Sequence, residues 1–333
     1  MTLAASHSTD AGPSGIPPES GRFQAAARRD RKNFSSSASS FGARRVTRRS
    51  ASGDFEALNA WPMGFYHPAT LVKDAQRHGV RVLPIEINAS QLRCTLTVDA
   101  GGHAVAGPSQ AASAADSERR AVASRGELRL GLRYVRGLSQ AAAEALVAER
   151  AHGPYVSLGD LRKRAPFLSA RDLATLAEIG AFARLDGQPT RRGALWQVSA
   201  MGDREGLLAG AVADAASPLA EMTLAERIAA DFHGASLSVG PHPVALLRPQ
   251  LAEQGALTSQ QAGAAPHGTR VRSAGLCIVR QRPPTAKGFC FLTLEDEAGL
   301  LNIIVPPAVY EAHRAVLHGS SLLIVDGVLQ RQD

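Results

Sequence analysis

Residues 131–138, GLRYVRGL, run directly into residues 139–150, SQAAAEALVAER. Gly131 and Gly137 bracket a segment with a β-branched and an aromatic residue, and an alanine-rich amphipathic helix follows at once. Gly137 has no Cβ, so it admits a positive φ or the close approach of another backbone. Ser139 stands where a helix needs an N-cap, and Ala142, Ala145, Leu146 and Arg150 follow at helical spacing. The pattern is that of a helix–hairpin–helix unit. Such a hairpin aims free backbone N–H groups and the positive end of a helix dipole at an anion. The stretch points to a nucleic acid held by its phosphates, without reading of its bases.

Working outward, residues 127–198 contain a second half to this unit. Ser157 and Asp160 form a Ser-x-x-Asp cap ahead of Leu161, and Ser169 and Asp172 repeat it ahead of DLATLAEIGAF. The string IGA around Gly180 is a weaker echo of the first hairpin, and two such halves make one compact tandem module. Upstream, residues 55–98 predict a helix from about Pro68 to His78, a stop at Gly79 and a strand over VRVLPIEI. Residues 99–126, rich in Ala, Gly and Ser, predict a linker. Residues 199–266 predict a second linker with helices, the first capped by Thr223 and Glu226 and stopped at Gly234.

From residue 267 the apolar period becomes two. TRVRSAGLCIVRQR, GFCFLTLED, LLNIIVP and SLLIVDGVLQ predict four strands, with a helix over PAVYEAHRAVL between the third and fourth. That order matches an OB-fold barrel lacking its last strand, which predicts an unpaired sheet edge. Arg280, Arg282 and Lys287 flank the first hairpin of this domain, where such folds track the backbone of a nucleic-acid strand. Phe289 and Phe291 share one strand face; they are stacking platforms if it is the outer face and core if it is the inner one. The fold class expected is a multidomain α+β chain, with a helical tandem module, a truncated OB-fold barrel (267–333) and a disordered N-terminal tail (1–54).

The tail carries two basic clusters, RRDRK at 28–32 and RRVTRR at 44–49. It reads as disorder, as a basic arm adding nonspecific affinity, or as a transit peptide, against which Asp10, Glu19 and Asp30 weigh. The whole chain has a formal charge of +7, which suits a polyanionic partner. Cys94, Cys277 and Cys290 are widely spaced, which argues against a zinc site or disulfide framework and fits a reducing cytoplasm. No apolar run reaches the ~20 residues of a membrane helix. His67, His78, His103 and His242 fall singly and read as ordinary surface residues. The acidic run Glu295, Asp296 and Glu297 reads as a solvated turn rather than a metal site.

The strings PMGFYHPATLVKDAQRHGVRVLP, LRLGLRYVRGL, LAEIGAF, VGPHPVALLRP, IVRQRPPTAKGFCFLTLEDE and VDGVLQRQD resemble, in this order, the C-terminal part of bacterial error-prone C-family DNA polymerases, relatives of the replicative polymerase III alpha subunit. The resemblance covers about residues 55–333; residues 1–54 match nothing in that family. It implies that 55–98 are the end of the fingers, where Arg77, His78 and Arg81 either touch phosphate or form a solvated helix end. The tandem module then holds duplex DNA through the backbone around Arg136, Gly137 and Leu138, with Arg133 and Arg136 adding charge and a second contact at Gly180 or mere packing there. The OB-like domain holds single-stranded DNA through Arg280, Arg282, Lys287, Phe289 and Phe291.

Polymerases of this family work by two-metal catalysis, for which paired carboxylates hold Mg²⁺. The chain has no Asp-x-Asp pair, so no catalytic residue and no cofactor are expected in it, and Mg²⁺ only in a complete polymerase. The function expected is that of the DNA-binding part of a translesion enzyme, inactive alone; the alternatives are a stand-alone DNA-binding or scaffold protein and a nonfunctional remnant. The stretch DREGLLAG at 203–210 lacks the Gln and aromatic of a sliding-clamp peptide. Recruitment by accessory damage-tolerance proteins is expected in its place, in the bacterial cytoplasm.

Overall fold

The computed structural model describes residues 2–5, 21–24, 51–62, 66–98, 126–187, 189–201 and 217–331. The chain divides into a unit of Val46–Gly240 and a unit that joins Met1–Arg45 to Pro241–Asp333. Strands β1 (Thr2–Ala5) and β2 (Gly21–Gln24) belong to the second unit, although the sequence predicts no regular structure there. The basic clusters at 28–32 and 44–49, His103 and the 203–210 stretch lie outside the described residues.

The Val46–Gly240 unit is mostly helical. Helix α1 (Ala51–Asn59) is followed by α2 (Pro68–Arg77), which His67 caps by accepting the Ala69 amide at 3.2 Å. Leu71, Val72 and Ala75 bury the inner face of α2. At its end Gly79 takes φ +84°, and the amides of Gly79 and Val80 bond back to Gln76 and Ala75. This left-handed stop is the one the sequence predicts. The strand expected over 80–87 shrinks to β3 (Arg81–Leu83), because Pro84 brings no amide to a ladder. β3 pairs parallel to β5 (Gly126–Arg129), which pairs antiparallel to β4 (Thr95–Val98).

A 3₁₀ turn (Leu132–Tyr134) then leads to α3 (Gln140–Glu149), α4 (Leu158–Arg164), α5 (Ala170–Glu178), α6 (Arg191–Met201) and α7 (Leu224–Ala235). Ser139, Ser157, Ser169 and Thr223 each accept an amide three residues on, at 3.1–3.3 Å, as their spacing predicts. Leu58, Val72, Leu128, Leu146, Leu161, Leu176 and Phe182 lie in one hydrophobic cluster that also takes in Leu237. Each such side chain contributes ~1.5–3 kcal/mol by leaving water. The 55–98 segment and the tandem module therefore share a single core. The stretch 199–266, expected as a linker, divides: α7 is part of this helical unit.

The other unit is built on a sheet. Helix α8 (Pro243–Glu253), β6 (Ala256–Leu257) and α9 (Ser259–Ala264) precede β7 (Arg270–Gln281), β8 (Cys290–Glu295) and β9 (Leu300–Val305). The single helix expected next is broken at His313 into α10 (Pro307–Ala312) and α11 (Arg314–Gly319), and β10 (Leu322–Gln330) follows. β7, β8 and β9 form an antiparallel meander, and β10 returns antiparallel to β7. The strand order is β2-β10-β1-β9-β8-β7-β6, with the additional pairing of β10 to β7. β1 lies between β9 and β10, where the sequence predicts an unpaired edge. Leu292, Leu294, Ile303, Leu323 and Val325 form its core.

The acidic run at 295–297 is not a solvated turn. Asp296 is buried and accepts from the Ser259 amide and hydroxyl, both at 2.6 Å, and from the Ala298 and Gly299 amides. Glu297 pairs with Arg248. His242 is likewise buried, capping α8 by accepting the Val244 amide at 3.2 Å.

Candidate nucleic-acid interface

The first hairpin is held by backbone approach on one side and open on the other. At Gly131 a Cβ would stand 2.4 Å from the Arg93 carbonyl carbon and 2.5 Å from the Leu92 oxygen, so only glycine fits. Gly137 has φ +87°, and nothing lies within 4 Å of where its Cβ would point. Its requirement is conformational, not steric. Arg136, Gly137, Ser139, Gln140 and Ala141 are exposed and Leu138 is half-buried.

The amides at this turn are not equivalent. Arg136 N–H donates to the Gly234 carbonyl at 2.8 Å, and Leu138 N–H to Val135 at 3.3 Å. Those of Gly137, Ser139, Gln140 and Ala141 have no acceptor among the described residues. Four donors thus converge on the exposed N-terminus of a ten-residue helix, where the dipole adds positive potential. The arrangement suits an oxyanion such as a phosphate. Of the amides expected to face a phosphate at Arg136, Gly137 and Leu138, those of Arg136 and Leu138 are bonded within the protein, and that of Gly137 has no acceptor among the described residues.

Charge around the hairpin differs from what the sequence suggests. Arg133 points away from the turn: its guanidinium donates to the Asn59 carbonyl at 2.8 Å and the Trp61 carbonyl at 2.6 Å. It ties the hairpin to the end of α1 and is committed to the framework. Beside it, burial raises the Tyr134 phenol above its ordinary pKa, and its hydroxyl donates to Leu58 at 2.7 Å. Arg136 is exposed and donates to the His233 carbonyl at 3.2 Å, which keeps its positive charge at the rim of the turn.

Gly180 is a different object. It has φ +78°, and its amide and that of Ala181 bond back to Ala177 and Leu176. These are the two bonds of a helix C-terminal cap, so the amides face α5 and not an anion. Arg191 covers the glycine, with Nε 2.8 Å from a Cβ placed there, and bonds to Glu178, Arg227 and Asp231. The second hairpin packs. Arg77 and His78 likewise face Asp74, and Arg81 pairs with Glu127.

In the sheet unit, Phe291 is 38 % exposed and Phe289 half-buried, whereas Cys290, Leu292 and Leu294 are buried. The aromatic face of β8 is therefore the outer one. Phe291 stands opposite Gln281 on β7 and Ile304 on β9, with Thr293 and Asn302 next on the same face. The nearby cations are mostly engaged. Arg282 stacks on the Tyr310 ring at 4.1 Å and pairs with Glu311, and Arg280 donates to the Ser320 carbonyl. Lys287, at φ +48°, is exposed and has no partner among the described residues.

Sequence reasoning missed the buttress behind the first hairpin, the carbonyls of His233 and Gly234. It read Gly234 as a helix stop, but α7 continues to Ala235, and a Cβ at Gly234 would stand 2.5 Å from Ile179 Cγ2. Glycine there lets α7 lie against the second hairpin and reach the first. Among the described residues, no group of three or more His, Cys, Asp or Glu is placed to hold a metal, and no helix is long and apolar enough to cross a membrane.

Comparison with known proteins agrees with this organisation. A family model described as a helix-hairpin-helix motif matches residues 79–194, which take in both hairpins. The chain is 42% identical over 276 residues to the error-prone DNA polymerase of Anaeromyxobacter dehalogenans (strain 2CP-C), covering 82% of this chain and 23% of that protein. It is 43% identical over 275 residues to that of Burkholderia pseudomallei (strain K96243), covering 82% and 24%. It is 40% identical over 278 residues to that of Alkalilimnicola ehrlichii, covering 83% and 24%. The chain thus spans about a quarter of the length of these curated relatives. Over four-fifths of its length, this helix–hairpin–helix chain is similar to one segment of error-prone DNA polymerases.

Proposed function

We propose that this chain is the DNA-holding C-terminal portion of an error-prone DNA polymerase, serving synthesis across damaged template. In this reading 55–98 end the fingers and the helical module grips duplex. The β7–β10 sheet is an OB-type domain that tracks a single strand across Phe291 and Lys287. The single observation that carries the reading is the first hairpin: four amides without an acceptor among the described residues, around an exposed glycine at a helix N-terminus. The polymerase chemistry requires Mg²⁺ held by paired carboxylates; the sequence has no Asp-x-Asp pair, and the chemistry is assigned to a palm outside this chain. Accessory damage-tolerance proteins are the proposed recruiters and the cytoplasm the proposed compartment.

The test is duplex binding by the purified chain, with Gly137→Val compared with Arg48→Ala. Valine at φ +87° costs about 1–2 kcal/mol when the hairpin adopts this geometry. That lowers duplex affinity about 5- to 30-fold. Gly137→Val is expected to weaken binding more than Arg48→Ala; affinity that follows only the N-terminal basic residues refutes the hairpin grip. Primer extension with Mg²⁺ and nucleotides is expected to be absent, and extension by the chain alone refutes the assignment of catalysis elsewhere.

A further inference from the structure

The two N-terminal strands lie end to end along one edge of β10. Gly21–Gln24 runs parallel to residues 323–326, and Thr2–Ala5 runs antiparallel to residues 327–330. Eight consecutive residues of β10 are therefore paired on that side, while its other side pairs with β7 from residue 322 to 328. β1 has a second partner as well, because residues 2–4 run parallel to residues 302–304 of β9. A four-residue strand with a ladder on both sides fills a gap between two edges. β9 and β10 therefore run antiparallel to each other, and β1 meets one parallel and one antiparallel ladder. In this register position 3 stands opposite Ile303 and Leu329, both of which are buried.

We propose that the slot between β9 and β10 is a strand-acceptor site and that its resident occupant is residues 2–5 of this same chain. Affinity comes from backbone hydrogen bonds, the mode in which an extended peptide adds to an open sheet edge. Tethering supplies the occupant at high effective concentration, which favours the chain's own strand over a competing one. An emptied slot leaves two edges, residues 302–304 and 327–330, as templates for another strand.

The test is amide hydrogen exchange on the full chain, on Leu3→Pro and on a deletion of residues 1–8, with a synthetic peptide of residues 1–8 added back. Proline at position 3 removes an amide and cannot sit in a strand paired on both sides. Expected is protection at residues 302–304 and 327–330 in the full chain, lost at least about tenfold in both variants. Protection at residues 292–294 persists, and the peptide restores the slot while its Leu3→Pro counterpart does not. Where a variant unfolds the sheet unit, the peptide is expected to refold it. Unchanged protection in Leu3→Pro, or no effect of the peptide on either variant, overturns the proposal. A full-length dimer with β1 exchanged between copies, seen in mixed-isotope samples, overturns occupancy by the chain's own strand.

Discussion

Replacing Arg133 with alanine separates a framework role from a phosphate role. The guanidinium donates to the carbonyls of Asn59 and Trp61 at 2.8 and 2.6 Å. Asn59 ends α1, where the helix dipole leaves negative partial charge. A hydrogen bond from a charged donor contributes about 1.5–3 kcal/mol net. The two bonds share one cation and act on neighbouring carbonyls, so they do not add in full. The combined loss then comes to about 2–4 kcal/mol of the stability of the helical unit. Trp61 and Trp196 are the chain's two tryptophans, and both lie in that unit. Fluorescence-monitored urea unfolding therefore reads it selectively, and the midpoint is expected to fall at unchanged m. The second arm is duplex affinity measured across salt concentrations, where each neutralised phosphate adds about 0.9 to the slope of log K against log salt. Arg133→Ala is expected to keep the wild-type slope at temperatures where it is folded. A variant as stable as wild type, with the slope shallower by about 0.9, refutes the framework role.

Two further outcomes concern the sheet unit. Phe291→Ala is expected to lower affinity for single-stranded DNA by about 1–3 kcal/mol, or about 5- to 150-fold, with little change in stability because the ring is exposed. Unaltered single-strand binding in a filter or anisotropy assay removes the stacking role. At Glu297, burial raises the carboxyl pKa, but the Arg248 hydrogen bonds and charge outweigh it and leave the pKa below the ordinary value of 4.5. A depressed folded-state pKa gives stability that is complete above the ordinary value and is lost as pH falls through the folded one. Circular-dichroism unfolding of wild type and Arg248→Met between pH 6 and 3 is expected to show the wild-type advantage shrinking below about 4.5. An advantage that stays constant to pH 3 contradicts the pairing.

Local chemistry was the legible part of this chain. The caps at Ser139, Ser157, Ser169 and Thr223 lie three residues from the amides they accept, so sequence spacing contains both partners. The stop at Gly79 and the four strands from Arg270 onward are local in the same sense. The fate of Arg133 and of the Arg136 amide is not, since their acceptors stand 72 or more residues away at Trp61, Asn59 and Gly234. A basic residue beside a phosphate-type hairpin reads as a ligand contact until the carbonyls that claim it are known. The strand FCFLTL gave no side to Phe291, because apolar residues fill both faces and only the neighbours decide which one is covered. His67 and His242 precede prolines that open helices, where a ring nitrogen accepts an amide two residues on. The usual capping residues would not have found them.

The sheet unit takes its strands from residues 2–5 and from residues 322–330, while residues 46–240 build a separate unit in between. Loop closure over so long a span costs only about 0.6 kcal/mol more per doubling of length, so the finished sheet is hardly weakened by it. Timing is affected far more. At a synthesis rate of about 5–20 residues per second, β1 leaves the ribosome roughly 15–60 s before β10. The helical unit, contiguous in sequence, can fold in that interval, whereas the sheet unit cannot close until the last strand emerges. A lesion in β1 or β10 is therefore expected to appear in cells first as slow or failed maturation of one unit, with the other already folded.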